Sequence, residues 1–218
     1  MKKLKVSLIL NSIIVFLVIL MNIFMLAKIH FMKPLDLLVV KGLENYKFYT
    51  ADSNVLIGII SLIFIVYLLK LKNNKIKEIP KSIYILKMVG TICITITFIV
   101  TLCFLAPMYG FYAMFNNCNL FFHLIIPLLS IITYVFFEKH NNKYKYAVYG
   151  IIPMFIYGIF YIINVLVHLQ DEGVTFKYDF YGFLQGNINN IYFAIPIIFL
   201  VGYLISLLIV FLNKKFAK

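Results

Sequence analysis

Thr50 and His123 are the two residues of this chain whose types could perform covalent chemistry together. A threonine hydroxyl is a poor nucleophile until a base removes its proton, and imidazole is the usual base near neutral pH. The stretch "FYTADSNVLIGII" (48–60) turns abruptly polar at Thr50, Asp52, Ser53 and Asn54, and then the apolar run resumes. His123 stands in "NLFFHLIIPLLS", about one turn inside another apolar run. An ionisable group in such a run is costly and is a functional candidate by default. The plainer alternative for His123 is an interfacial hydrogen-bonder. For Thr50, Asp52 or Ser53 it is a helix cap, where an acid suits the positive N-terminus. A cap leaves Asn54 unexplained.

The surrounding polar residues recur at helical spacing. Thr50, Asn54, Gly58 and Ser61 follow one another at steps of 4, 4 and 3. Asn119, His123, Pro127, Ser130 and Tyr134 run at 4, 4, 3 and 4, as do Pro153, Tyr157, Tyr161, Asn164 and His168. Each set shares one helix face. Polar groups facing lipid are unfavourable, so the three stripes face inward. They serve either as interhelical hydrogen-bonding contacts or as the wall of a polar pocket opening outward between the second, fourth and fifth spans. Asp52, Ser53, Asn54, Asn119, Tyr157, Tyr161, Asn164 and His168 are its candidate lining.

The elements that carry these stripes are membrane helices. The 218 residues are 63% hydrophobic and 13% charged, against about 45–50% and about 25% in a soluble domain. A spanning helix needs roughly 20 apolar residues, and six stretches qualify, at about 6–28, 51–69, 83–106, 119–137, 147–168 and 189–212. The expected fold is all-α: one polytopic domain over 1–218, a six-helix transmembrane bundle. Six spans put both termini on one side. The N-terminal, second–third, fourth–fifth and C-terminal segments hold fifteen lysines against Glu78 and Glu138. The opposite connections hold Lys28, Lys33, Lys41, Lys47 and Lys177 against six acids. The positive-inside rule makes the lysine-rich side, and both termini, cytoplasmic. "MKKLK" opens like a signal peptide, but the apolar run after it is longer than a signal core and no small-residue cleavage site follows, so a retained anchor is expected.

The net charge of +12 comes from these connecting lysines, and no basic domain stands free of the membrane to bind nucleic acid. Three cysteines, Cys93, Cys103 and Cys118, lack any CxxC spacing and indicate neither a disulfide framework nor a thiolate metal site. A zinc hydrolase built on His123, His168 and His30 is conceivable, but no closely spaced ligand motif supports it. No metal or cofactor is expected. Pro127, Pro153 and Pro196 fall within spans, where proline frees a backbone carbonyl and kinks the helix. Such kinks frame cavities in some bundles and occur in solid ones too.

Two segments together, "KFYTADSNVLIGI" (47–59) and "NLFFHLIIPLLSIITYVFFE" (119–138), resemble a predicted family of six-proline bacterial membrane proteins. That family has an aromatic-x-Thr-x-x-Ser-Asn-Leu start to one span and a Leu-His-x-x-x-Pro start to a later one. It is similar to the androgen-induced membrane proteins of animals, which hydrolyse fatty acid esters of hydroxy fatty acids with a threonine and a histidine. The resemblance puts the threonine on Thr50, the histidine on His123 and the following proline on Pro127. "PMFIYGIFYIIN" and "YDFYGFLQ" resemble the family's Pro-x-x-x-Tyr span and aromatic outer loop. Thr133 and Tyr134 stand where the bacterial pattern has Asp-Trp, and Ser53 where the animal enzymes have an acid.

The expectation is an integral protein of the cell membrane with an outward-facing polar pocket, acting on lipid esters. Thr50 would attack the carbonyl, His123 would take the proton, and Asn54 or Asn119 would support the oxyanion. Asp52 or His168 would orient the base, and phenylalanine-rich faces would hold acyl chains. The partner is a membrane lipid or another amphipathic small molecule. The alternative is a transporter, receptor or lipid-binding protein that uses the same pocket without chemistry. The sequence leaves the oligomeric state open.

Overall fold

Among the described residues, six helices are long and apolar enough to cross a membrane: α1 (Lys2–Leu26), α2 (Tyr49–Lys72), α3 (Lys81–Tyr109), α4 (Cys118–Phe137), α5 (Tyr144–Val167) and α6 (Ile188–Phe216). The computed structural model describes residues 2–33, 42–140, 143–169, 174–175 and 177–217, and among them there is no strand. Pro34, Lys41, Lys218 and the acids Asp36, Asp171 and Glu172 lie outside the described residues. The chain is thus an all-α, multi-pass membrane protein. Several helices extend past the apolar windows, as α1 does back to Lys2 and α6 on to Phe216. Lysine is a good helix former whose stem lies along apolar surface, so the backbone stays helical after hydropathy has fallen.

α3 is the central helix, with 61% of its apolar window buried, against 17% for α5 at the lipid-facing extreme. Its middle, from Gly90 to Thr97, is buried throughout. Small residues let its neighbours approach. A Cβ on Gly90 would lie 2.8 Å from Ile60 of α2, and one on Gly150 of α5 would lie 2.4 Å from Ile92 of α3. In lipid, where apolar association gains nothing from leaving water, such close packing holds helices together.

Prolines set the irregularities. Both α3 and α4 contain one π turn, Thr101–Leu105 and Phe121–Ile125, and each ends two residues before a proline, Pro107 and Pro127. Proline cannot donate to the carbonyl four residues back, and its ring crowds that carbonyl. A locally wider turn relieves both problems. In α4 the crowded carbonyl belongs to His123, so the His-x-x-x-Pro spacing itself produces the widened turn that carries the histidine. α5 breaks at Ile151, just before Pro153, and resumes as Ile152–Val167.

At the lysine-rich end, five helices meet in a buried polar cluster. The Lys87 ammonium of α3 donates to Asn11 Oδ1 of α1 at 2.7 Å and to Ser61 Oγ of α2 at 2.8 Å. Asn11 Nδ2 donates to Glu138 Oε1 at 2.7 Å, and Ser7 Oγ donates to the same oxygen at 3.0 Å. Asn213 Nδ2 of α6 bonds the carbonyls of Tyr134 (2.7 Å) and Glu138 (3.0 Å). Lys87 and Glu138 are 0% and 2% exposed, which corrects their count among the charges of the connecting segments. Setting that pair aside leaves fourteen lysines against Glu78 on this side, so the charge asymmetry stands.

Candidate functional site

The opposite end of the bundle brings Thr50 and His123 together. Tyr49–Lys72 is a long helix entered from extended backbone at Phe48, so Thr50 sits in its first turn, at the positive end of the helix dipole. His123, on the π turn of α4, is 5% exposed. Its Nδ1 lies 2.6 Å from the carbonyl oxygen of Met114, and its Nε2 lies 3.3 Å from Thr50 Oγ1. A carbonyl only accepts, so Nδ1 carries the proton and Nε2 presents a bare lone pair to the threonine hydroxyl. The Met114 carbonyl comes from a short helical turn, Phe111–Met114, in the loop after α3. The ring of Phe115 meets the imidazole edge-on at 6.3 Å. The threonine hydroxyl can therefore donate to a base whose tautomer and orientation are fixed from behind.

Thr50 stands between His123 and an apolar cleft of about 870 Å³, counting the space at its mouth. The walls come from α3 at Val100 and Leu105, α5 at Met154 and Gly158, and α6 at Ile198 and Phe199. Among the described residues, none from α4 lines it. The expected pocket between the second, fourth and fifth spans is corrected accordingly: polar stripes mark where helices bond one another, whereas the open space lies between α3, α5 and α6, beside the start of α2. The surface it presents is almost wholly apolar and aromatic, suited to an acyl chain or another apolar ligand.

Of the remaining candidates, Tyr157 and Tyr161 line the cleft. Asn54 does not: its amide donates to the carbonyls of Thr50 (2.8 Å) and Phe122 (3.1 Å), fastening α2 to α4. With its amide so engaged it is not placed to hold an oxyanion. Ser53 lies 2.7 Å from the hydroxyl of Thr97 and is buried between helices. Asp52 is exposed on another face of α2, and Asn119 is half-buried at the start of α4. Asn164 Nδ2 reaches the Tyr178 carbonyl at 3.4 Å. His168 is exposed, donates from Nδ1 to the Asn164 carbonyl at 2.8 Å and stacks on Tyr178 at 3.9 Å. Neither Asp52 nor His168 orients His123; the Met114 carbonyl does. Among the described residues, no three His, Cys, Asp or Glu side chains gather as a metal site, so His30, His123 and His168 form no ligand set.

The loop before α6 supplies the residues the sequence reading passed over. Tyr181 is 8% exposed and its hydroxyl accepts the Tyr49 amide at 2.8 Å, with the Thr50 amide also in reach. Burial pushes the Tyr181 phenol up to about 12, so it remains an O–H donor at neutral pH. The loop is held by Asp179, 1% exposed, which accepts from the hydroxyl of Tyr161 and from the Leu184 amide at 2.9 Å. Tyr157 donates to the Lys47 carbonyl at 2.6 Å, closing the same corner. The aromatic density of "YDFYGF" was visible in the sequence, but its docking against the start of α2 was not.

No family model, curated protein or solved structure matches this chain.

Proposed function

We infer that this protein is a membrane-embedded hydrolase of lipid esters, with Thr50 as nucleophile and His123 as general base. The single observation that carries the reading is the pair of bonds on His123: Nδ1 to the Met114 carbonyl and Nε2 to Thr50 Oγ1. Hydrogen-bonding contacts between helices would not need a threonine at the wall of an apolar cleft, backed by an oriented imidazole. The 3.3 Å separation suits a resting pair that tightens as substrate arrives.

In this reading the ester carbonyl lies against Thr50 with an acyl chain in the cleft. As Thr50 Oγ attacks the carbonyl carbon, its proton passes to His123 Nε2. The oxyanion faces the N-terminus of α2, where the neutral Tyr181 phenol can donate. The tetrahedral intermediate collapses, the C–O bond breaks, and the leaving alcohol takes the proton from Nε2. His123 then deprotonates a water that attacks acyl-Thr50, releasing the carboxylic acid and restoring the hydroxyl. By the lysine asymmetry, the site lies in the outer half of the cell membrane.

Labelling with a fluorophosphonate probe tests this directly. Detergent-purified wild type should be modified on Thr50, Thr50→Ser should retain modification, and Thr50→Ala and His123→Ala should lose it while still folded. Folded wild type that is neither labelled nor active on any lipid ester would overturn the hydrolase. The cleft would then be a non-catalytic lipid-binding or transport site.

A further inference from the structure

Five helical glycines bear on packing in this bundle, and one of them differs in kind. An added Cβ would come within 2.7 Å of Val18 at Gly58, 2.8 Å of Ile60 at Gly90, 2.4 Å of Ile92 at Gly150 and 2.5 Å of Met154 at Gly202. Those four are glycine because a neighbouring side chain occupies the place of their own. At Gly158 the nearest atom is Phe199 Cζ, at an ordinary 3.8 Å. Packing therefore does not demand a glycine at 158. The space it leaves is part of the cleft, halfway along the α5 wall.

The cleft also has a definite floor. Met154 is 6% exposed, with its methyl group pressed towards Gly202 of α6, and Phe199 stands across from Gly158. At about 1.5 Å per helical residue, the α5 wall from Met154 to Tyr161 is roughly 10 Å deep and the α3 wall from Ile96 to Leu105 about 14 Å. Thr50 borders the cleft from the α2 side, one turn before Ser53, which meets Thr97 of α3. A saturated chain in extended zigzag, with bonds of about 1.5 Å, fills that depth with roughly eight to ten carbons.

We propose that this cleft is a chain-length gauge for a medium-length acyl group, with Gly158 keeping the lower half open and Met154 and Phe199 closing it. The inference rests on the hydrolase reading for its reaction but on the cleft alone for its ruler. Each methylene that finds apolar wall rather than water gains about fourfold in binding. The gain should stop where the floor is reached. A side chain at 158 would raise the floor, and a shorter one at 154 would lower it.

The test uses the full-length protein and p-nitrophenyl esters from acetate to palmitate, with kcat/KM measured against chain length. Wild type should rise with each methylene, by at most about fourfold where the ester is drawn from water, and level or fall beyond roughly ten carbons. Gly158→Leu should move the break to shorter chains by several carbons, and Met154→Ala should move it to longer ones. The proposal is overturned if the Gly158→Leu and Met154→Ala profiles superimpose on that of wild type. If wild type turns over no ester, the chemistry has failed and the gauge is read from binding: retention of saturated fatty acids of graded length, by native mass spectrometry, should break at the same length and shift in the same directions. Retention independent of length, or none at all, overturns the gauge as well.

Discussion

The bundle buries polar groups at both ends, and the two clusters differ in what surrounds them. At the lysine-rich end, Lys87, Asn11, Ser61, Ser7, Glu138 and Asn213 bond one another across five helices. At the other end, Thr50 and His123 share one long hydrogen bond, and the threonine borders open space. The first cluster carries charge without adjoining the cleft. The second adjoins the cleft and needs no formal charge at rest. A dense, closed network specifies how helices meet, whereas a sparse pair beside a cavity keeps an atom available to a ligand. Burial of an ionisable residue therefore does not by itself separate a structural group from a reactive one; the neighbouring space does.

The sharpest way to break this comparison is at Lys87. Lys87→Met leaves Glu138 buried without the nearby cation and should cost about 3–5 kcal/mol, whereas Lys87→Met with Glu138→Gln should recover much of it. Denaturation in detergent, monitored by helical circular dichroism, reads both. Equal losses in the single and double variants would mean that the charges do not compensate each other.

Substitution of the other cluster should show the opposite signature. His123→Ala should lower ester turnover by about 10²–10⁴-fold, and Thr50→Ala should abolish covalent labelling while shifting stability by no more than about 1 kcal/mol. A Thr50→Ala variant as unstable as Lys87→Met would make the two clusters alike.

Packing gives a third contrast. Gly150→Ala drives a methyl group into Ile92 and Ser206 and should destabilise by about 1–3 kcal/mol. Gly158→Ala should stay within about 0.5 kcal/mol of wild type. Thermal unfolding of the two variants side by side distinguishes a helix-contact glycine from a cleft glycine.

A modest effect should come from the loop. Tyr161→Phe removes one donor from the buried Asp179 and should cost about 1 kcal/mol. Faster proteolysis within 177–187, with the helices still protected, would locate the loss. Unchanged cleavage would mean that Asp179 holds the loop through the Leu184 amide alone.

Much of the fold was legible because a bilayer imposes a one-dimensional rule. Length, hydropathy and lysine placement are local properties, and they determined six spans, the shared side of the termini and the inward direction of the polar stripes. Thr50 and His123 stood out because a hydroxyl at a helix start and an imidazole in an apolar run are each visible without a partner. Their separation of 73 residues was bridged only by the packing of α2 against the π turn of α4. Helical periodicity says which face turns inward, not which helix it meets. For that reason the stripes pointed to a pocket beside α4, while the space opened between α5 and α6. The same limit hid Lys87 and Glu138, since a lysine at the end of an apolar run reads alike whether it snorkels to water or bonds Asn11 and Ser61 in the interior. The sequence alone determined a six-helix membrane protein and two reactive candidates. Tertiary structure decided the tautomer of His123, the roles of Tyr181 and Asp179 and the place of the cleft, because each depends on a contact between segments far apart in the chain.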